Sequence, residues 1–146
     1  MLNTQLLDIR QSSGLTLTDL DFLLQDTPLL PISNTLIDIE SKFSINSLYL
    51  CAHVVWESAW GYHPNALRYH NLFNVGLDPA LPNLTIITYP DYQTCLYEFV
   101  QHYFDKRYLQ GHTLYTLGKH LQDTHVLWVN GVYSTMRLLD QLLATR

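Results

Sequence analysis

The chain has 146 residues, of which 47% are hydrophobic and only 14% charged, and its formal net charge at pH 7 is −5. That length suits a single domain, 1–146, able to bury roughly two-thirds of its unfolded surface without staples, and the composition excludes a disordered chain. The acidic balance excludes nucleic acid and anionic membrane surfaces as main partners, since both reward clustered Lys and Arg; Lys106 and Arg107 are an isolated pair.

In chain order, the N-terminal "MLNTQLLDIRQSSG" has no basic region leading into an apolar run, and no stretch approaches the roughly 20 apolar residues of a membrane span. No Sec address is therefore expected. "LTLTDLDFLL" after Gly14 reads as a short helix with a Thr/Asp start, "TPLLPIS" as a proline-marked connection, and "SNTLIDIESKFS" as a second helix carrying Leu36, Ile39 and Phe43 at helical spacing. "INSLYLCAHVVWESAW" is the third helix, with Asn46 as N-cap and Gly61 as its stop. From Gly61 to about Pro90 the helical period disappears among five prolines and glycines, and only "NLTIITY" alternates like a short strand. Helix returns in "YQTCLYEFVQHYFDKRYLQ", ending at Gly111, and in "VLWVNGVYSTMRLLDQLL", which closes the chain despite Gly131. The expected architecture is α+β and mainly α-helical, a helical body with one small irregular or β lobe. Cys51 and Cys95 lie in apolar helical stretches, which favours buried free thiols over a disulfide framework.

Glu57 is the residue that most needs a chemical explanation. It falls in the last turn of the third helix, on the flank of the stripe formed by Leu50, Cys51, Val54 and Val55, between Trp56 and Trp60. Burial disfavours the carboxylate, and so does the partial negative charge of a helix C-terminus, so the carboxyl pKa is expected to rise. A raised carboxyl is what a general acid needs near neutral pH, and the two tryptophans can serve as platforms for sugar rings. A surface glutamate on a fraying helix end satisfies the same pattern. His53, Glu57 and His63 do not make a metal site by spacing, because the paired-histidine helical zinc motif is absent. No metal or cofactor is expected. The cysteines lack a nearby basic group that would activate a thiol, and no phosphate loop or G-x-S-x-G elbow occurs.

The run "INSLYLCAHVVWESAWG" followed by "HNLFNVG" resembles the bacterial cell-wall glucosaminidases of glycoside hydrolase family 73, which read A-H-x-x-x-E-S-G-W-G and then N-N-L-F-G-I. Ala52, His53, Glu57, Ser58, Trp60 and Gly61 match the first motif; Asn71, Leu72 and Phe73 match the second. "YPDYQTCLYEFVQHYFDKRYL" and "WVNGVYSTM" are similar to the family's later segments, so the resemblance runs from about Leu15 onward. It implies a lysozyme-like fold with a peptidoglycan groove between helical body and small lobe. It also implies Glu57 as the acid that protonates the glycosidic oxygen, and glycan contacts from Trp56, Trp60, Tyr62, Asn71, Phe73 and Tyr92.

Departures from the family pattern are as informative. Ala59 and Asn74 stand where the family has glycine, Tyr62 and His63 replace Thr-Ser, and "HLQD" puts His120 at a tyrosine position. Asp78 is the short lobe's single carboxylate and Asp91 lies at its edge, so Asp78, His120, a held water or the substrate's own 2-acetamido group are the candidates for the second catalytic role. The expected partner is the peptidoglycan glycan strand, with self-association or virion and lysis partners as further expectations. The expected setting is the bacterial cell wall, reached by phage delivery, in a virion or by another export route. The alternatives are a non-catalytic peptidoglycan-binding or virion assembly component, or a muramidase or lytic transglycosylase.

Overall fold

Thr16 opens the first helix, α1 (Leu17–Leu24), with a reciprocal capping box: its hydroxyl accepts from the Asp19 N–H while the Asp19 carboxylate accepts from the Thr16 N–H. Two of the four orphan donors of a helix start are thereby satisfied. In this computed structural model the described residues are 8–74, 86–104, 113–121 and 125–146, with backbone alone for 118–121, 125 and 126. The proline-marked connection is a 3-10 turn, Leu30–Ile32, running directly into α2 (Ser33–Phe43). α3 (Ser47–Ser58) begins as the sequence predicts, with the Asn46 side chain accepting from the Tyr49 N–H at 2.9 Å. Glu40 Oε1 accepts from both Ser13 N (2.9 Å) and Ser47 N (2.8 Å), fastening the N-terminal segment and the start of α3 to α2.

α3 is buried on every side from Ser47 to Val55. Its sequence predicts a single apolar stripe; a helix apolar all round is instead the axis of a domain. The closing helix, α7 (His125–Leu143), packs along it. α2 packs against α3, and α1 fills the angle between α2 and α7. Trp128, Val132 and Met136, spaced by four along α7, are all buried, and each contributes on the order of 2 kcal/mol of burial.

Three elements differ from expectation. Pro64 does not break structure: it sits at the first position of a helix, α4 (Pro64–Tyr69), where its missing N–H would have had no partner anyway, and the His63 ring accepts from Asn65 N at 3.0 Å as the cap. α6 (Leu114–Leu121) has no counterpart among the expected elements; Thr113 and Thr116 exchange hydrogen bonds at its start and Leu117 packs into the core. The end of α3 comes at Ala59, in left-handed conformation, two residues before the expected Gly61.

α5 (Tyr92–Tyr103) begins at Asp91, whose carboxylate accepts from Thr94 N, and ends with Phe104 as its C-cap, short of the expected Gly111, which itself lies outside the described residues. The same is true of the first part of the expected strand. Residues 86–89 carry no strand and are tied to the end of α4 by Tyr89 N to Tyr69 O (2.8 Å) and to the segment after it by Asn71 Nδ2 to Ile87 O (3.0 Å). Among the described residues there is no β lobe, and the fold is mainly helical. Cys51 and Cys95 are buried and free, and burial pushes both thiols up to about 12, which makes them inert packing residues.

Candidate active site

At the last turn of α3 the central helix emerges from the core. Trp56 is exposed, and the Glu57 side chain is 9% exposed. Ala59, Trp60 and Gly61 then follow one another in left-handed conformation, at φ 50, 60 and 86. For alanine and tryptophan that conformation costs on the order of 1–2 kcal/mol each. The surroundings impose it. Trp60 N bonds Val55 O at 3.1 Å, Ser58 Oγ donates to Val54 O and accepts from Gly61 N, and Ser58 O accepts from His63 N at 2.9 Å. Gly61 is needed at the end of the run, since a Cβ there would press on Leu29 and Pro28. The left-handed turn halts the helix one residue after Ser58 and leaves the Glu57 carboxyl at the rim.

Burial pushes the Glu57 carboxyl above its ordinary range, and a hydrogen bond from Asn74 pulls partly the other way. Beneath it lies His53, whose two ring nitrogens are both engaged. Nε2 receives the Trp128 indole N–H at 3.2 Å, and Nδ1 is 2.8 Å from the Tyr49 hydroxyl. An indole N–H only donates, so Nε2 is bare and the ring is the neutral Nδ1–H tautomer, donating to Tyr49. Burial holds the His53 pKa down to about 3, consistent with that state. Its Nε2 stands 3.9 Å from Glu57 Oε1, yet a neutral imidazole offers the carboxylate no countercharge. The rings of Phe73, Phe99 and Trp128 stand edge-on around it, 4.9 to 5.3 Å away. His53 is thus a neutral, fully engaged ring beneath the Glu57 carboxyl. Among the described residues no group of three His, Cys, Asp or Glu could hold a metal ion, and no helix is long and apolar enough to cross a membrane.

The residues expected to contact glycan divide into open and inward ones. Trp56 is 41% exposed and its indole lies directly on the backbone of α7 at Gly131, where any Cβ would clash with the ring. That contact explains a glycine in the middle of α7. Tyr62 is open, with its hydroxyl donating to Asp26 O at 3.2 Å. Trp60 is half-buried against the core, and Tyr92 is half-buried with its ring edge-on to His70. Asn71 and Phe73 point inward: Asn71 Oδ1 accepts from Phe73 N, and the Phe73 ring stacks on Phe99 at 3.8 Å. Both are nearly fully buried and offer no open contact face, and Phe73 also stands against the His53 ring. Asp78 lies outside the described residues, and for His120 only its backbone place in α6 is described.

Asn74 was absent from the expected site. It is left-handed at φ 54, a conformation asparagine adopts more readily than most residues. Its Nδ2 donates to Glu57 O at 2.8 Å and to Glu57 Oε2 at 3.3 Å, while its Oδ1 accepts from Asn65 Nδ2 at 2.9 Å.

The architecture is mainly helical, and its fold is shared with a solved autolysin. S. aureus autolysin E, in the crystal structure of a catalytic mutant in complex with the disaccharide NAG-NAM, superposes on this chain with a TM-score of 0.71 and 16% identity. The match covers 97% of this chain and 73% of that one. The likeness is one of fold. No protein-family model matches the chain, and no curated protein matches it.

Proposed function

We propose that this chain is a peptidoglycan hydrolase that cuts the glycan strand between N-acetylglucosamine and N-acetylmuramic acid, with Glu57 as the general acid. The observation that carries this reading is the state of Glu57: a nearly buried carboxyl, raised by burial and facing a neutral histidine, at the rim of a central helix. An acid so placed keeps a proton at pH values where an exposed glutamate has lost it, and can deliver it to a glycosidic oxygen as the bond breaks. The shared fold with an autolysin crystallised with NAG-NAM supports the substrate class. Trp56 and Tyr62 offer open aromatic faces of the kind that hold sugar rings. The second role, activating water or stabilising the developing cation, belongs to Asp78, to His120 or to the substrate's 2-acetamido group.

Incubation with purified sacculi followed by borohydride reduction and mass spectrometry tests this reading. N-acetylglucosamine is expected at the new reducing ends, and Glu57→Gln, folded by circular dichroism, should lose at least about a hundredfold in rate. Reduced muramic acid or anhydromuramic ends would reassign the bond. A folded Glu57→Gln protein that clears sacculi at the wild-type rate would remove the carboxyl from the mechanism.

A further inference from the structure

Asn74 puts an amide where only a backbone turn is needed. At φ 54 the position is satisfied by glycine, so the side chain is not demanded by local geometry. It is nonetheless held in one orientation. Its oxygen is occupied by Asn65 Nδ2 at 2.9 Å, so its nitrogen end must face Glu57. Turning the amide over would set oxygen against the Glu57 carbonyl and carboxyl, and nitrogen against nitrogen at Asn65. The nitrogen end bridges two atoms of one residue, the main-chain oxygen of Glu57 at 2.8 Å and Oε2 at 3.3 Å.

We infer that Asn74 is a positioning residue for Glu57: locked by Asn65, its amide ties the carboxyl to the carbonyl end of its own helix and holds the acid in one orientation for reaction. A carboxyl left free in the last turn would have to find that orientation anew at each turnover. This inference rests on the reading of Glu57 as the acid, but the tie itself can be measured without catalysis. The hydrogen bond favours the ionised carboxyl and so opposes burial. Among the described residues, the titratable groups set against Glu57 are His53 and Tyr49 on its own helix. The loop after α4 contributes the neutral Asn74, and α7 contributes the Trp128 indole by way of His53.

The test uses Asn74→Gly, which keeps the left-handed backbone and removes only the amide, alongside Asn65→Ala. Carbon-13 NMR titration of the Glu57 carboxyl and the pH dependence of sacculus turnover are measured on each. In Asn74→Gly the Glu57 midpoint should move upward, the alkaline limb of kcat should move with it, and kcat should fall roughly tenfold with KM little changed. Asn65→Ala should give a smaller change in the same direction. An unmoved midpoint in folded Asn74→Gly, or wild-type kcat and pH limb, overturns the inference. An inert wild-type protein overturns the hydrolase reading instead, and a moved midpoint in that inert protein still upholds the tie.

Discussion

Burial of the Glu57 carboxyl has a cost in stability that varies with pH. The carboxyl is raised in the folded chain above the ordinary 4.5 because burial penalises the anion. The folded state therefore keeps a proton that the unfolded chain has released, and stability falls as pH climbs from about 4.5 through the folded value. Each tenfold difference in proton affinity corresponds to about 1.4 kcal/mol. Gln at this position does not titrate, so Glu57→Gln should melt higher than wild type at pH 8 and lose that advantage below pH 4. Thermal unfolding across pH checks this, and equal melting temperatures at pH 8 would mean that burial does not strain the carboxyl. The raised carboxyl of Glu57 was legible in the sequence, since its place on the flank of an apolar helix stripe implies burial that disfavours the anion. Asn74 was not legible as its partner, because nothing in residue order brings the loop after α4 onto the end of α3.

At the scale of the element, α7 carries the lesson. Its periodicity predicts a helix over "VLWVNGVYSTMRLLDQLL", and the structure gives His125–Leu143. Gly131 reads there only as a defect, costing about 1 kcal/mol against alanine. The reason for it lies on α3, where Trp56 needs the empty surface. Gly131→Ala should gain helix propensity and lose the indole's seat. Because Trp56 is half open, the ring can swing outward instead of forcing α3 from α7. Stability should then change by no more than about 1 kcal/mol, while KM for glycan rises several-fold and Trp56 emission shifts to the red. Unchanged emission and KM would show that the indole has another resting place. Prolines misled in the same way: Pro64 read as a breaker because position within a helix turn, not residue type, decides whether the missing N–H matters. α1, α2, α3, α5 and α7 were legible from period and caps, whereas the short α4 and α6 depend on tertiary support.

The whole molecule is organised about the seam where α3 meets α7, and a histidine is sealed inside it. His53 has its pKa lowered from 6.5 to about 3, so the unfolded chain takes up a proton that the folded one refuses. Stability contributed by the neutral ring is present above pH 6.5 and lost as pH falls toward 3, on the order of 5 kcal/mol in all. A domain's whole stability is of comparable size, about 5–15 kcal/mol. Glu57 works in the opposite direction over the part of that range above 4.5, which blunts the loss but does not cancel it below. Urea unfolding should therefore show stability falling by at least one proton's slope between pH 4.5 and 3, because Asp19, Asp38 and Asp91, held below their ordinary range by hydrogen bonds, add to the loss. His53→Gln, less stable at neutral pH because Tyr49 and Trp128 lose their ring partner, should show a flatter acid limb. An acid limb as steep in His53→Gln as in wild type would place the linkage elsewhere.

The same seam has an optical consequence. A neutral imidazole leaves indole emission largely intact, whereas an imidazolium in contact quenches it by electron transfer. Of the three tryptophans, Trp128 is the one shut away from solvent and hydrogen-bonded to His53, so its light belongs to the blue edge of the spectrum. Darkening of that edge would record, without any added dye, the moment at which a proton reaches the centre of the protein.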